Sequence, residues 1–357
     1  FSFTVPNDSA YVLLPFLMMT VCSSVFTVFS SFFCFMVAGS LIAVSSYSWL
    51  SMWIGLEINL LSIIPLLKSE NNIYPSESAL KYFITQAMAS AVMLFSLILL
   101  YNLNEIQILN TKYLTTMILN SAILTKMGAA PFHAWLPEVM EGLNWNCCLI
   151  MLTWQKIAPM VILMYNITVT LFISSIIIIS SITGAIMGLN QTSMRKIMAY
   201  SSINHIGWML SSMLSSQMIW LIYFSIYTII SVNIVLVLNM MNVFYTKQLF
   251  LMIPSNKMSK FLFAMNFYSL GGLPPFLGFL PKWITINFLV ANKFIALSVA
   301  LIVTTLITLA FYIRLTFSTL TINTKEPIMI YTNKSMFLLF SSNLISLMGL
   351  LMSAVLL

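Results

Sequence analysis

Two stretches of this chain share one pattern: KMGAAPFHAWLP at residues 126–137 and GGLPPFLGFLPKW at residues 271–283. Proline removes a backbone donor and clashes with the preceding helical turn, and glycine lets the chain leave helical angles. Each stretch therefore predicts an interrupted helix. The matching residues at the breaks are Gly128, Pro131, Gly272 and Pro275. Ordinary turns between helices can have the same chemistry, and the motif alone leaves that alternative open.

The rest of the chain is too apolar for a water-soluble protein. Hydrophobic residues make up 60% of its 357 residues and charged residues 6%, whereas a soluble domain carries about a quarter charged residues. The apolar runs are continuous rather than alternating, and a helix needs roughly 20 such residues to cross a bilayer. The composition therefore predicts an all-α, polytopic transmembrane helical bundle rather than a β-barrel. The net charge of +7 is not clustered, so nucleic-acid binding is not expected.

Eleven membrane spans are predicted from the apolar runs between charges and turn residues. They lie at 33–48, 51–67, 77–101, 113–130, 145–164, 168–188, 195–214, 217–241, 260–290, 295–318 and 334–356. Residues 1–32 are an N-terminal extension, in which the apolar run 11–30 is a candidate extra helix.

Lysine and arginine in the loops predict the orientation, because they concentrate on the cytoplasmic or matrix side of a membrane. With eleven spans, one side collects Lys68, Lys81, Arg195, Lys196, Lys247, Lys257, Lys260, Arg314, Lys325 and Lys334. The other side collects Lys112 and Lys293. The first side is therefore predicted to face the matrix or cytoplasm, and the C-terminus lies on the opposite side.

Four charged residues remain inside the predicted spans: Glu57, Lys126, Lys156 and Lys282. A charge at mid-bilayer costs at least about 2.5–3.5 kcal/mol, so residues of this kind are functional candidates. Two of the lysines adjoin the glycine–proline breaks, and paired breaks of this kind indicate the path of a transporter.

Lysine suits proton transfer there, because burial favours the neutral amine and a nearby carboxylate favours the ammonium. If Glu57 lies about 4 Å from Lys126, the attraction is about 4 kcal/mol at an effective dielectric of about 20. Opening and closing this pair would switch the lysine between holding and releasing a proton. Two static alternatives stay open: Lys126 and Lys282 reach a membrane interface, or Glu57 pairs without moving.

The histidines and cysteines give weaker indications of function than the buried charges do. His133 and His205 are candidate proton relays, since imidazole titrates near neutral pH. Each is equally well explained as a fixed hydrogen-bonding residue, and a bis-histidine haem is a weaker alternative. The spacing of the cysteines suits no metal or iron–sulfur site, and no phosphate-binding loop is present. The cysteines are Cys22, Cys34, Cys147 and Cys148.

Several longer strings resemble the subunit 2 family of mitochondrial NADH dehydrogenase (respiratory complex I) in its animal form. They are GLEINLLSIIPLL (55–67), SALKYFITQAMAS (78–90), KMGAAPFHAWLPEVMEG (126–142), LTWQKIAP (152–159), GLNQTSMRKIMAYSSINHIGWM (188–209) and SLGGLPPFLGFLPKW (269–283). The resemblance implies an antiporter-like fold of two inverted five-helix repeats, each with one broken helix. Its halves would be 33–164 and 165–320, followed by a C-terminal loop and helix at 321–357.

The same resemblance implies a role for each buried charge. The family's coupling glutamate falls on Glu57, its broken-helix lysines on Lys126 and Lys282, and its central lysine on Lys156. The implied function is proton translocation across the mitochondrial inner membrane, with basic loops on the matrix side and the C-terminus on the intermembrane-space side. Residues 1–32 depart from the family pattern, which begins near residue 33.

The resemblance also implies where the redox chemistry lies. NADH, FMN, iron–sulfur clusters and ubiquinone would be bound by other subunits of the complex, and this chain would bind no cofactor. Its partners would be the adjacent antiporter-like subunit, the small subunit with buried carboxylates, and phospholipids. Two other functions remain to be weighed: a free-standing cation–proton antiporter, and a structural membrane subunit whose charges form static ion pairs.

Overall fold

The computed structural model describes residues 30–68, 72–103, 109–252 and 257–321, and its regular elements there are helices. In chain order they are α1 (Ser30–Ser45), α2 (Trp49–Leu67), α3 (Tyr74–Leu103), α4 (Leu109–Met127), α5 (Trp135–Gly142), α6 (Trp145–Leu152), α7 (Trp154–Met164), α8 (Thr170–Gly188), α9 (Met194–Ser215), α10 (Gln217–Met240), α11 (Thr246–Met252), α12 (Lys257–Gly271), α13 (Phe279–Ala291) and α14 (Ile295–Thr321). The predicted helical runs at 11–30 and 334–356 lie outside these residues.

The described helices confirm an all-helical membrane protein. Six helical segments are long and apolar enough to cross a bilayer: α2, α3, the combined α6 and α7, α8, α10 and α14. α1 and α13 are apolar but shorter. α4 and α9 have 19 and 22 residues, which is sufficient length, but they carry more polar side chains.

Helix α9 lies at the centre of the second half of the structure. Nearly every side chain from Ile197 to Met213 is buried, although serines, Asn204 and His205 are among them. The buried serine hydroxyls donate to carbonyls of their own helix, as Ser201 does to Met198. Serines satisfied in this way let neighbouring membrane helices pack closely.

The two predicted breaks are present and are capped in the same way. Gly128 and Gly272 each have a φ of +77°, a conformation that glycine adopts without a steric penalty. Gly128 N donates to Leu124 O and Thr125 O, and Gly272 N donates to Tyr268 O and Ser269 O. The next residue donates again to the first of these carbonyls in both breaks. This is the Schellman ending of a helix, repeated at α4 and α12.

The predicted span at 145–164 is confirmed as one apolar helical segment, Trp145–Met164. It consists of two helices, α6 and α7, because the helix is interrupted at Thr153. The Thr153 hydroxyl donates to Leu149 O at 2.7 Å, and threonine bonds of this kind bend helices. Pro159 follows within α7. The interruption lies one turn before Lys156.

Candidate functional site

The first pair of buried charges meets between α2 and α4. Glu57 lies on α2 and Lys126 in the last turn of α4, with Lys126 Nζ 4.0 Å from Glu57 Oε1. This distance allows electrostatic attraction but exceeds a hydrogen bond. Within the described part of the chain, Glu57 Oε1 is buried and accepts no hydrogen bond. The two side chains are therefore attracted to each other without being locked together, which is the arrangement that a switch requires.

Lys156 has a different kind of partner. Its side chain is buried on α7, and its Nζ donates to the Tyr227 hydroxyl on α10 at 3.3 Å. The same Nζ lies 5.0 Å from the centre of the Tyr227 ring. Among the described residues, no carboxylate reaches it at ion-pair distance. A neutral hydroxyl and an aromatic face thus replace the carboxylate that Lys126 has.

His205 lies next to the same tyrosine. Its Nδ1 is 3.0 Å from the Tyr223 hydroxyl, and its ring centre is 5.1 Å from that of Tyr227. Tyr227 therefore contacts both Lys156 and His205. Tyr223 and Tyr227 are one helical turn apart on α10, so they present their hydroxyls to the same side.

Lys282 is held by the end of a helix. It lies on α13, beyond the second break, and its Nζ donates to Leu270 O at 3.2 Å and to Gly271 O at 2.9 Å. These carbonyls belong to the last turn of α12, where they have no partner within the helix. The C-terminal end of a helix carries partial negative charge, so α12 provides the counterpart of a carboxylate.

Gly272 makes room for this contact. A Cβ at this position would lie 2.8 Å from Lys282 Cδ and 3.0 Å from Lys282 Nζ. At a φ of +77° any other residue is also strained. Both factors predict a site that tolerates glycine alone.

We expect Gly272→Ala to lower the free energy of unfolding by about 1–3 kcal/mol and to displace the Lys282 amine. The measurement is thermal unfolding of the purified protein beside Gly271→Ala. A Cβ on the neighbouring Gly271 would meet side-chain atoms at 3.6 Å, an ordinary contact. Equal stability of the two variants would contradict the role given to Gly272.

His133 is not brought into this arrangement. It lies in the first break, is half-buried, and its Nδ1 has no hydrogen-bond partner among the described residues. No hydrogen bond in the described ranges connects it with Lys126, Lys156 or Lys282. The structure thus places His205 against Tyr227, the partner of Lys156, and His133 stays a predicted relay without a shown contact.

Sequence reasoning missed several polar residues near the buried charges. Tyr227 bonds to Lys156, and Tyr223 bonds to His205. Asn59 and Gln155 line a cavity with Lys126, and Gln155 Nε2 donates to Asn59 Oδ1 at 2.8 Å. Gln155 directly precedes Lys156, which was one available signal. The four-residue spacing of the two tyrosines on α10 was the other.

The amino-acid sequence of this chain is similar to those of known proteins. The family model described as "NADH:quinone oxidoreductase/Mrp antiporter, TM" matches residues 46–308. The NADH-ubiquinone oxidoreductase chain 2 of Anopheles gambiae is 47% identical over 330 residues, which cover 90% of this chain and 95% of that protein.

Solved structures share the fold. A chain in respiratory complex I from Thermus thermophilus has a TM-score of 0.83 at 23% identity, covering 92% of this chain and 79% of that one. A chain in the Mrp complex from a Dietzia species has a TM-score of 0.71 at 16% identity, covering 82% of this chain and 60% of that one.

Proposed function

Because this chain belongs to the NADH-ubiquinone oxidoreductase chain 2 family, we propose that it translocates protons through Glu57, Lys126, Lys156 and Lys282. It is a multi-pass membrane-arm subunit of respiratory complex I, and it assembles with other subunits of that NADH:ubiquinone oxidoreductase. The proposal places it in the mitochondrial inner membrane, with the basic loops on the matrix side and the C-terminus on the intermembrane-space side.

The observation that carries the proposal is the 4.0 Å contact between Glu57 and Lys126. When the pair is closed, the carboxylate favours the ammonium form of Lys126. When Glu57 moves away, the buried ammonium loses its counter-charge and releases its proton. Since Glu57 Oε1 has no hydrogen-bond partner in the described ranges, no hydrogen bond within them holds this atom in place.

The later steps involve residues on α7, α9, α10 and α13. A proton released by Lys126 passes to the Lys156 amine. The Tyr227 hydroxyl accepts a hydrogen bond from Lys156, and the pair of His205 and Tyr223 continues the path to Lys282. There the α12 carbonyls stabilise the ammonium. Each step transfers one proton and leaves the donor ready to be protonated again.

The fold proposed for this function has about eleven spans in two inverted five-helix repeats, at 33–164 and 165–320. The identical capping at Gly128 and Gly272 supports it, because the same helix ending occurs in each half. We place the adjacent antiporter-like subunit, the small carboxylate-bearing subunit and phospholipids against this chain. NADH, FMN, the iron–sulfur clusters and ubiquinone are assigned to other subunits.

Replacing Glu57 by glutamine tests the switch. An attraction of about 4 kcal/mol at an effective dielectric of about 20 is removed, so we expect the protons moved per NADH oxidised to fall while the complex still assembles. The measurement is proton uptake during NADH oxidation in proteoliposomes. Ser62→Ala is the control, because Ser62 is buried on the same helix and its hydroxyl donates to Asn59 O. Normal pumping by the glutamine variant would refute the switch.

A free-standing cation–proton antiporter is the second candidate. It is supported by the shared fold with the Mrp complex, but that similarity covers less of both chains than the similarity to complex I. We expect the chain reconstituted alone to exchange no cations for protons. Exchange by the isolated chain at a rate abolished by Lys126→Ala would favour the antiporter.

A further inference from the structure

A small cavity lies beside Lys126, between α2, α3, α4 and α7. Its volume is about 20 Å³, and it is lined by Leu56, Asn59, Leu60, Tyr82, Gln86, Lys126, Gln155 and Pro159. A water molecule requires about 10–15 Å³ measured in this way, together with two to four polar partners. The cavity therefore has the size for one water.

The polar side chains around the cavity are only partly satisfied by one another. Gln155 Nε2 donates to Asn59 Oδ1 at 2.8 Å, and the Tyr82 hydroxyl lies 3.5 Å from Gln155 Oε1. Gln86 is 4% exposed, and its Nε2 donates to no other group in the described part of the chain. A buried amide donor without a partner is costly. A water in the cavity would accept from Gln86 and reach the Lys126 amine.

A larger, open pocket of about 540 Å³ lies at the start of α3. Charged residues from three helices line it, among them Lys81, Glu138 and Arg195. Lys81 Nζ is 3.3 Å from Glu138 Oε2, and these side chains are well exposed. By the loop charges, this pocket opens on the side predicted to face the matrix.

One face of α3 runs from the open pocket to the small cavity. Ser78 lines the pocket, and Tyr82 and Gln86 line the cavity. The three are spaced four residues apart, so they lie in a row along one helix face with about 6 Å between successive positions. Tyr82 occupies the middle of this row, with its ring 5.7 Å from that of Trp135.

We propose that this cavity is a water site through which Lys126 is loaded with protons from the open pocket. The water donates one proton to the neutral amine of Lys126 and accepts one from the Tyr82 hydroxyl. Tyr82 in turn takes a proton that enters by the pocket. Tyr82 therefore passes the proton on in this step, and Gln86 is a positioning residue for the water. The inference rests on the proposed function, since it requires Lys126 to be a proton carrier.

The test uses the assembled complex in proteoliposomes. Proton translocation through this subunit is taken as the difference between the unaltered complex and its Lys126→Ala variant. We expect Gln86→Leu to reduce this difference about tenfold, because the water loses roughly one net hydrogen bond. Tyr82→Phe keeps the ring beside Trp135 and removes the hydroxyl, and a reduction is expected there too.

Ser90→Ala is the matched control. Ser90 is buried one turn beyond Gln86 on the same face of α3 and donates to Ala87 O, but it does not line the cavity. We expect it to pump normally. A second readout is independent of pumping: a map of the assembled complex that resolves waters should show one between Gln86 and Lys126, and none in Gln86→Leu.

The outcomes separate the two proposals. Normal pumping by Lys126→Ala would overturn the proposed function and this inference with it. Loss of pumping in Lys126→Ala combined with normal pumping in Gln86→Leu, or a map without water in this cavity, would overturn the water site alone.

Discussion

Lys126→Ala is expected to abolish the proton pumping that passes through this subunit while the complex still assembles. Lys126 provides the only amine within ion-pair distance of Glu57 among the described residues, and it also lines the polar cavity beside α7. Alanine can neither carry a proton nor respond to the carboxylate. Removal of a positioned proton-transferring group costs about 100-fold or more in rate. Protons moved per NADH oxidised in proteoliposomes give the measure.

Lys112→Ala provides the control for this prediction. Lys112 lies on the same helix, 14 residues earlier, which is about 21 Å along the axis. Its side chain is only half-buried, and we expect normal pumping from its variant. If Lys126→Ala instead reduced assembly and the fraction that did assemble pumped normally, the buried charges would be structural ion pairs.

Lys156→Met is expected to stop pumping as completely as Lys126→Ala does. It is also expected to leave the complex at least as stable as the unaltered one. Methionine has a similar length and adapts to irregular core space. Lys156 is 2% exposed, and its observed partner is the Tyr227 hydroxyl rather than a carboxylate. Replacing a buried charge by an apolar side chain of similar volume is often neutral or stabilising. Loss of function without loss of stability would mark Lys156 as a residue kept for transport.

Stability and pumping should therefore be measured on the same preparations. The control is Lys293→Met, since Lys293 is an exposed lysine after α13. Tyr227→Phe should slow pumping less than Lys156→Met, because it removes the hydroxyl and keeps the ring beside His205. A lower melting temperature together with normal pumping in Lys156→Met would show that this lysine serves the fold.

The functional charges could be predicted from the sequence because of their rarity. In a chain with 6% charged residues, Glu57 and Lys156 stand out against apolar neighbours. A charge in hydrocarbon is costly wherever the helix lies, so its significance does not depend on knowing the neighbours. The uncharged partners gave no such signal. Tyr227 and Gln155 are compatible with any helix face. Only the packing of the helices shows that Tyr227 contacts Lys156 and that Gln155 lines the cavity.

Among the helix ends, too, some could be predicted from the sequence and others could not. Glycine and proline act on their own backbone, so the breaks at Gly128 and Gly272 follow from local chemistry. The interruption at Thr153 was missed, because a threonine hydroxyl can donate to its own helix or to another partner. The central position of α9 was also not evident, since its serines and Asn204 made it look less apolar than its neighbours.

By itself, the sequence determined that this is a helical membrane protein with two broken helices and four charges inside its spans. These features depend on the cost of placing charges and unpaired backbone groups in lipid, which each residue bears individually. Only the tertiary structure decided the partner of each charge: a carboxylate for Lys126, a tyrosine for Lys156 and the end of α12 for Lys282. Such pairings depend on distances between side chains far apart in the chain, and those distances exist only once the helices have packed.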